Sequence, residues 1–167
     1  MAITWNGVIL SGAALQADPA VVTPTLRFLS RMLSLVLPKM PVNKVDASLL
    51  SRNPLVCAHF MRDPLVPKSG VTARLATSLL DSMQHCIETM KDVNEPLLVL
   101  HGASDLIVNP QGSVDLYAAC SSTDVQLKMY PNLYHEILHS EKNEVILMDI
   151  VQWMEERLVM MKRSEKI

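Results

Sequence analysis

The sequence predicts an α/β domain in which three parallel strands are covered by helices, with a helical insert between the first strand and the second. Three observations carry that prediction. Short runs of branched apolar residues each end in glycine or other small residues, as buried strands do. Segments of helical period alternate with the later runs, the order that builds parallel sheets. Seven of the ten prolines fall between Pro19 and Pro67, where they exclude long continuous elements and leave short helices between turns.

The elements follow in order. Gly7-Val8-Ile9-Leu10 is too short for a buried helix and closes at Ser11-Gly12-Ala13-Ala14, so it reads as the first strand. Thr25–Leu37 carries Leu26, Leu29, Leu33 and Val36 on one helical face, with Phe28, Met32 and Leu35 making it apolar nearly all round. Thr72–Met90 aligns Leu75, Leu79, Cys86 and Met90, flanked by Met83 and Ile87, with Arg74, Gln84 and Glu88 on its polar side. Pro96 opens the second strand, Leu97–Leu100, and His101-Gly102 stops it. A helix over Gln111–Cys120 leads to the third strand, Val125–Tyr130, which Pro131-Asn132 breaks into a loop. From Glu141 to Lys162, Leu147, Ile150, Val151, Met154, Leu158 and Met161 recur at helical spacing and predict a closing helix.

Composition excludes several function classes. The chain has 167 residues, enough for one domain, with 15 Lys and Arg against 17 Asp and Glu. That balance leaves no basic excess to neutralise phosphates, so no nucleic-acid partner is expected. With 49% hydrophobic and 19% charged residues the chain is not disordered. No apolar run approaches the roughly 18 residues of a membrane span. The opening MAITWNG lacks the basic flank and apolar core of a signal peptide. Cys57, Cys86 and Cys120 form no close pair and leave one odd, which predicts three free, inert and mostly buried thiols in a cytoplasmic, reducing compartment.

Chemistry in a parallel sheet gathers where strands end at their carboxyl edge. Two such ends carry candidates: His101-Gly102-Ala103-Ser104-Asp105 after the second strand, and Pro131-Asn132-Leu133-Tyr134-His135-Glu136 after the third. A carboxylate on one loop and an imidazole on its neighbour can meet, fixing the imidazole's tautomer and stabilising its protonated form. Asp105 alone also suits a turn-capping role, and His135 alone a loop histidine bonded to backbone. His101 reads as a packed residue at the strand end, while Asp115 and Asp124 read as solvent-facing.

At these residues the chain resembles a known family. The stretch from Pro96 through HGASD to Gln111-Gly112-Ser113 resembles the acid-bearing strand and turn of α/β-hydrolases, and LKMYPNLYHEILHSE resembles their histidine loop. The resemblance is closest to the monoacylglycerol lipase-like, or serine aminopeptidase S33-like, branch. WNGVILSGAAL resembles the strand that follows the nucleophile elbow there, and LPKMPVNKVDASLLSRN and MRDPLV resemble parts of the helical cap. The resemblance implies that Asp105 is the triad acid and His135 its base, that residues of roughly 16–70 form a cap insertion, and that no cofactor or metal is needed. It implies hydrolysis of monoacylglycerol-like lipid esters, with the apolar cap lining an acyl tunnel or resting on a bilayer as a peripheral membrane contact.

One part of the family pattern is missing. A G-x-S-x-G elbow holds the nucleophilic serine, yet the five glycines are Gly7, Gly12, Gly70, Gly102 and Gly112, and none completes it. In the family the elbow lies just upstream of the first strand found here. The chain therefore reads as the C-terminal part of such a hydrolase, expected to be inactive alone and to self-associate through an unpaired sheet edge. Two rival readings belong to other classes. One is a non-catalytic lipid-binding or interaction module with the same fold. The other is a zinc peptidase, because His135-Glu136-Ile137-Leu138-His139 matches H-E-x-x-H. That match begins in a Pro-Asn loop, not inside a helix, and Lys142 and Val145 stand where the extended metal motif requires Gly and His.

Overall fold

The computed structural model describes residues 5–18 and 22–164, with side chains described through residue 160. Pro19 and the side chain of Met161 lie outside the described residues. The first strand, β1 (Val8–Ser11), is followed by α1 (Pro24–Val36), β2 (Pro41–Asn43), α2 (Pro54–Arg62), β3 (Val71–Thr72) and α3 (Ala73–Thr89). Then come β4 (Leu97–Gly102), α4 (Gln111–Ala119), β5 (Val125–Tyr130) and α5 (Asn143–Ser164). β1, β4 and β5 form a parallel sheet in the order β1-β4-β5, with Val8 beside Leu97 and Leu97 beside Val125. β2 and β3 pair antiparallel as a separate two-stranded ribbon inside the insert. That ribbon was not expected from the sequence, because two and three residues carry no readable alternation.

β4 is the middle strand, and all six of its residues are buried. Side chains alternate across a strand, so its two faces fill two cores. Leu98 and Leu100 pack with Leu133, Ile137, Ile146 and Trp153 under α5. Leu97 and Val99 pack with Met90 and Leu116 on the α4 face. His101 has the parity of Leu97 and Val99, which sends it toward α4.

The helices form where they were expected, but their buried faces differ. α5 buries Ile146, Trp153 and Arg157, while Leu147, Val151, Met154 and Leu158 are exposed. Arg157 is held by Asp124 and by its own stacking 3.7 Å over the Trp153 ring. Asp124, read as solvent-facing, is an ion-pair partner whose side chain is still 38% exposed. Asp115 accepts a hydrogen bond from Gln111 at 2.8 Å within α4. Lys128 and Tyr130 of β5 both donate to Asp149 of α5, at 2.6 and 2.7 Å.

In the insert, α1 and α3 meet through polar and small residues. Arg27 bonds Gln84 at 3.2 Å, Arg31 bonds Asp81 at 3.1 Å, and the Thr77 hydroxyl reaches the carbonyls of Ser30 and Ala73. Ser34 and Thr77 are buried, whereas Leu26, Leu29, Val36, Leu75 and Leu79 are exposed. Much of the α1 stripe and the first half of the α3 stripe thus face outward, whereas Met90, at the end of the α3 stripe, is buried against Leu97 and Val99. The three cysteines are free, but each is half-buried instead of fully enclosed.

Candidate active site

The site is built at the carboxyl edge of the sheet, where β1, β4 and β5 end together. Two glycines let the chain close up there. Gly12, just past β1, has φ of +55°, a conformation that disfavours side chains, and a Cβ on it would lie 3.4 Å from the His135 ring. A Cβ on Gly102 would fall 2.1 Å from the Tyr134 carbonyl and 2.5 Å from that of Leu133. Only hydrogen fits at Gly102. The loop after β5 therefore lies directly on the end of β4, bonded through Ala103 N–H to Tyr130 O (2.9 Å) and Ser104 N–H to Leu133 O (3.0 Å).

Core packing fixes the same loop from below. Leu133 and Ile137, two residues either side of His135, are each 1% exposed and anchor it in the α5-side core. Asn132 makes the turn with φ of 64°, a left-handed conformation that asparagine tolerates. The insert braces the loop from its other side. Leu50 O accepts the Glu136 N–H at 2.8 Å, and Arg52 reaches Asn132 O at 3.4 Å.

Asp105 stands at the turn after β4 with its carboxylate fully buried. Its Oδ1 accepts the backbone N–H groups of Ile107 (2.8 Å) and Val108 (3.0 Å). Its Oδ2 accepts His135 Nδ1–H at 2.8 Å and faces His101 Nε2 at 3.1 Å. Burial alone would raise this carboxyl's pKa. The bonds from His101, His135, Val108 and Ile107 outweigh burial and hold it well below the usual carboxylate range. His135 shifts the other way. The Asp105 hydrogen bond raises its pKa, burial opposes this, and the charges of Asp105 and Glu136 add to the rise. With Nδ1–H given to the carboxylate, the lone pair lies on Nε2. The His135 side chain is about a quarter exposed, 24%.

The two residues singled out for acid and base chemistry are thus in direct contact. His101 is buried, as expected of a packed strand-end residue, but it also bonds Asp105 and, at 2.7 Å, Ser113. The sequence reading missed that partnership, because nothing in sequence spacing ties Ser113 to the turn. The HEILH match does not form a helical metal face. His135 sits in the loop on Asp105, whereas His139 ends a short 3-10 turn (Ile137–His139) and bonds Glu136 at 2.8 Å. Among the described residues no group of three or more His, Cys, Asp or Glu side chains converges as a metal site would require.

Comparison with known proteins agrees with this architecture. The family model described as serine aminopeptidase, S33 matches residues 2–143. A monoacylglycerol lipase of Mycolicibacterium smegmatis is 34% identical over 89% of this chain and 53% of its own length. The human monoglyceride lipase is 29% identical over 92% of this chain and 51% of its own. The crystal structure of Paleococcus ferrophilus monoacylglycerol lipase superposes with a TM-score of 0.80 at 29% identity, over 90% of this chain and 59% of that one. The chain spans about half the length of the curated relatives it matches. With a family model matched over most of its length and a parallel sheet that superposes on solved lipases, the chain belongs to the serine aminopeptidase S33 family of α/β-hydrolases.

Proposed function

We propose that these residues are the acid- and base-bearing half of a carboxylic ester hydrolase that acts on monoacylglycerol-like lipid esters. The observation that carries this reading is the 2.8 Å contact between buried Asp105 and partly open His135 at the sheet's carboxyl edge. In this reading Asp105 holds His135 with its proton on Nδ1. Nε2 then takes the proton of a serine hydroxyl as it attacks the ester carbonyl, and returns it to the departing alcohol. Water repeats the cycle on the acyl-enzyme. The serine and its G-x-S-x-G turn are absent from the 167 residues, so they must come from polypeptide outside them. The names of the relatives support a glycerol monoester over other esters.

A fusion tests this directly. The N-terminal half of the Mycolicibacterium smegmatis relative, joined ahead of this chain, is expected to hydrolyse a monoacylglycerol and to react with a fluorophosphonate. His135→Ala in that fusion should lower kcat by a factor of roughly 10³ or more. A folded fusion that keeps its full rate after His135→Ala overturns the reading.

Two further features bear on partners. The outward apolar faces of α1 and α3 support contact with a lipid surface or an acyl chain, and Phe28 is 64% exposed there. β1 pairs with β4 alone among the described strands, so its other edge is open to strand pairing, which supports self-association of the chain in isolation. No helix among the described residues is long and apolar enough to cross a membrane.

A further inference from the structure

We propose that His101 is a positioning residue for the acid–base pair: with its tautomer set by Ser113, it donates Nε2–H to Asp105 Oδ2 and moderates how strongly that oxygen holds the proton of His135. This rests on the reading of Asp105 and His135 as acid and base.

The geometry determines who donates. His101 is 0% exposed, and so is Ser113, so both ring nitrogens and the hydroxyl need partners inside the protein. The partners present are each other and Asp105, at 2.7 and 3.1 Å. An ionised carboxylate only accepts, so the proton facing Oδ2 belongs to His101 Nε2. In the neutral ring Nδ1 is then the acceptor, so the Ser113 hydroxyl gives its proton to it. The result is a directed chain: Ser113 Oγ–H to His101 Nδ1, then His101 Nε2–H to Asp105 Oδ2, where it meets His135 Nδ1–H.

Placement follows from strand parity and one helix turn. His101 shares the Leu97–Val99 face of β4, against which α4 packs with Ser113 in its first turn. An aliphatic residue could fill that space but would leave the buried Ser113 hydroxyl without its partner. A histidine there makes sense because it competes for Oδ2. Two imidazole N–H groups on one oxygen divide its charge, so each is held less strongly than it would be alone. The other oxygen is already occupied by Ile107 and Val108 N–H, so the carboxylate cannot turn away to relieve the competition. Removing the His101 donor leaves Oδ2 to His135 alone and favours the imidazolium.

Nitrogen-15 NMR of the histidine rings tests this in the chain as it stands, without any turnover, so an inactive fusion and a failed inference give different results. In the unmodified chain, His101 should show a protonated Nε2 and an unprotonated, hydrogen-bonded Nδ1. A proton on Nδ1 overturns the proposal. His101→Leu should raise the His135 titration midpoint by about 0.5–1 unit, and His101→Gln, whose amide can still donate to Oδ2, should bring it back toward the unmodified value. An unchanged midpoint in a folded His101→Leu chain overturns it as well. Should that variant fail to fold, Ser113→Ala serves instead. Losing the hydroxyl weakens His101 as a donor, so a smaller upward shift is expected, and no shift overturns the proposal. The charged groups around His135 are Asp105 and Glu136, with Arg52 bonded to the same loop at Asn132. None of these variants alters them.

Discussion

Two large aromatic residues show how differently the two halves of the molecule are built. Trp153 of α5 is 4% exposed and packs on β4 beneath the histidine loop, while Phe28 of α1 is 64% exposed. In the sheet half, Leu97–Leu100, Leu133, Ile137, Ile146 and Trp153 are buried in the two cores, although α5 leaves Leu147, Val151, Met154 and Leu158 exposed. In the insert, Arg27, Ser30, Arg31, Thr77, Asp81 and Gln84 hydrogen-bond across the seam between α1 and α3, and Leu26, Leu29, Leu35, Leu75 and Leu79 are exposed. The contrast teaches that an apolar stripe at helical spacing identifies a helix without saying which side is inward. On α5 most of the stripe is exposed as well, and Ile146 and Trp153 are what close the core. In the insert, the stripe is surface available to something else.

The comparison breaks most sharply at Trp153. Trp153→Ala should lose about 3–5 kcal/mol, because it opens a cavity beside Leu100 and Ile146 and strips Arg157 of its stacking partner. Urea unfolding would check this, and a loss under 1 kcal/mol would mean that α5 does not close the core.

Acid and base dependence should localise to the same half. The lowered pKa of Asp105 means its contribution to stability is present above the unfolded value near 4 and is lost as pH falls through the folded value. The raised pKa of His135 works in the opposite sense. Its contribution is complete below the unfolded value near 6.5 and is lost as pH rises through the folded value. Urea midpoints should therefore be highest between about pH 4 and 6.5, as far as this pair is concerned. Asp105→Asn should flatten both limbs, and retention of both limbs would show that other groups set them.

The smallest effect belongs to the insert. Phe28→Ser should change stability by no more than about 0.5 kcal/mol, since little of the ring is buried. The same variant should weaken flotation with phosphatidylcholine vesicles if the outward face contacts lipid. A folded variant that floats unchanged would remove α1 from that role.

Particular residues show where the sequence was legible. Leu97–Leu100 was readable as a strand because four branched or aliphatic residues stand between Pro96 and His101-Gly102, and the strand extends just two residues further. The Asp105 and His135 candidates were readable because strand ends in a parallel sheet converge on one edge. The closing helix was readable as a helix, but not its inward face. Val145, Ile146, Leu147 and Met148 are four consecutive apolar residues that cover every direction of one turn. Arg157 decided the matter by turning inward, against its usual preference, to meet Asp124 and Trp153. The polar seam of the insert and the Ser113–His101 contact were not readable, since each depends on pairing between residues with no shared period.

The hydrogen bond from Glu136 N–H to Leu50 O gives the insert a part in the site that its own chemistry does not suggest. It joins a turn of the insert to the backbone immediately after His135, and Leu50 and Ser51 are buried at that junction. The insert is therefore not an interchangeable module. A graft that replaced it with a differently shaped substrate-facing segment would also have to return a carbonyl to that one point in space, or the imidazole would lose a wall of its mounting. Variation in what the insert presents outward is constrained by what its inner turn supports.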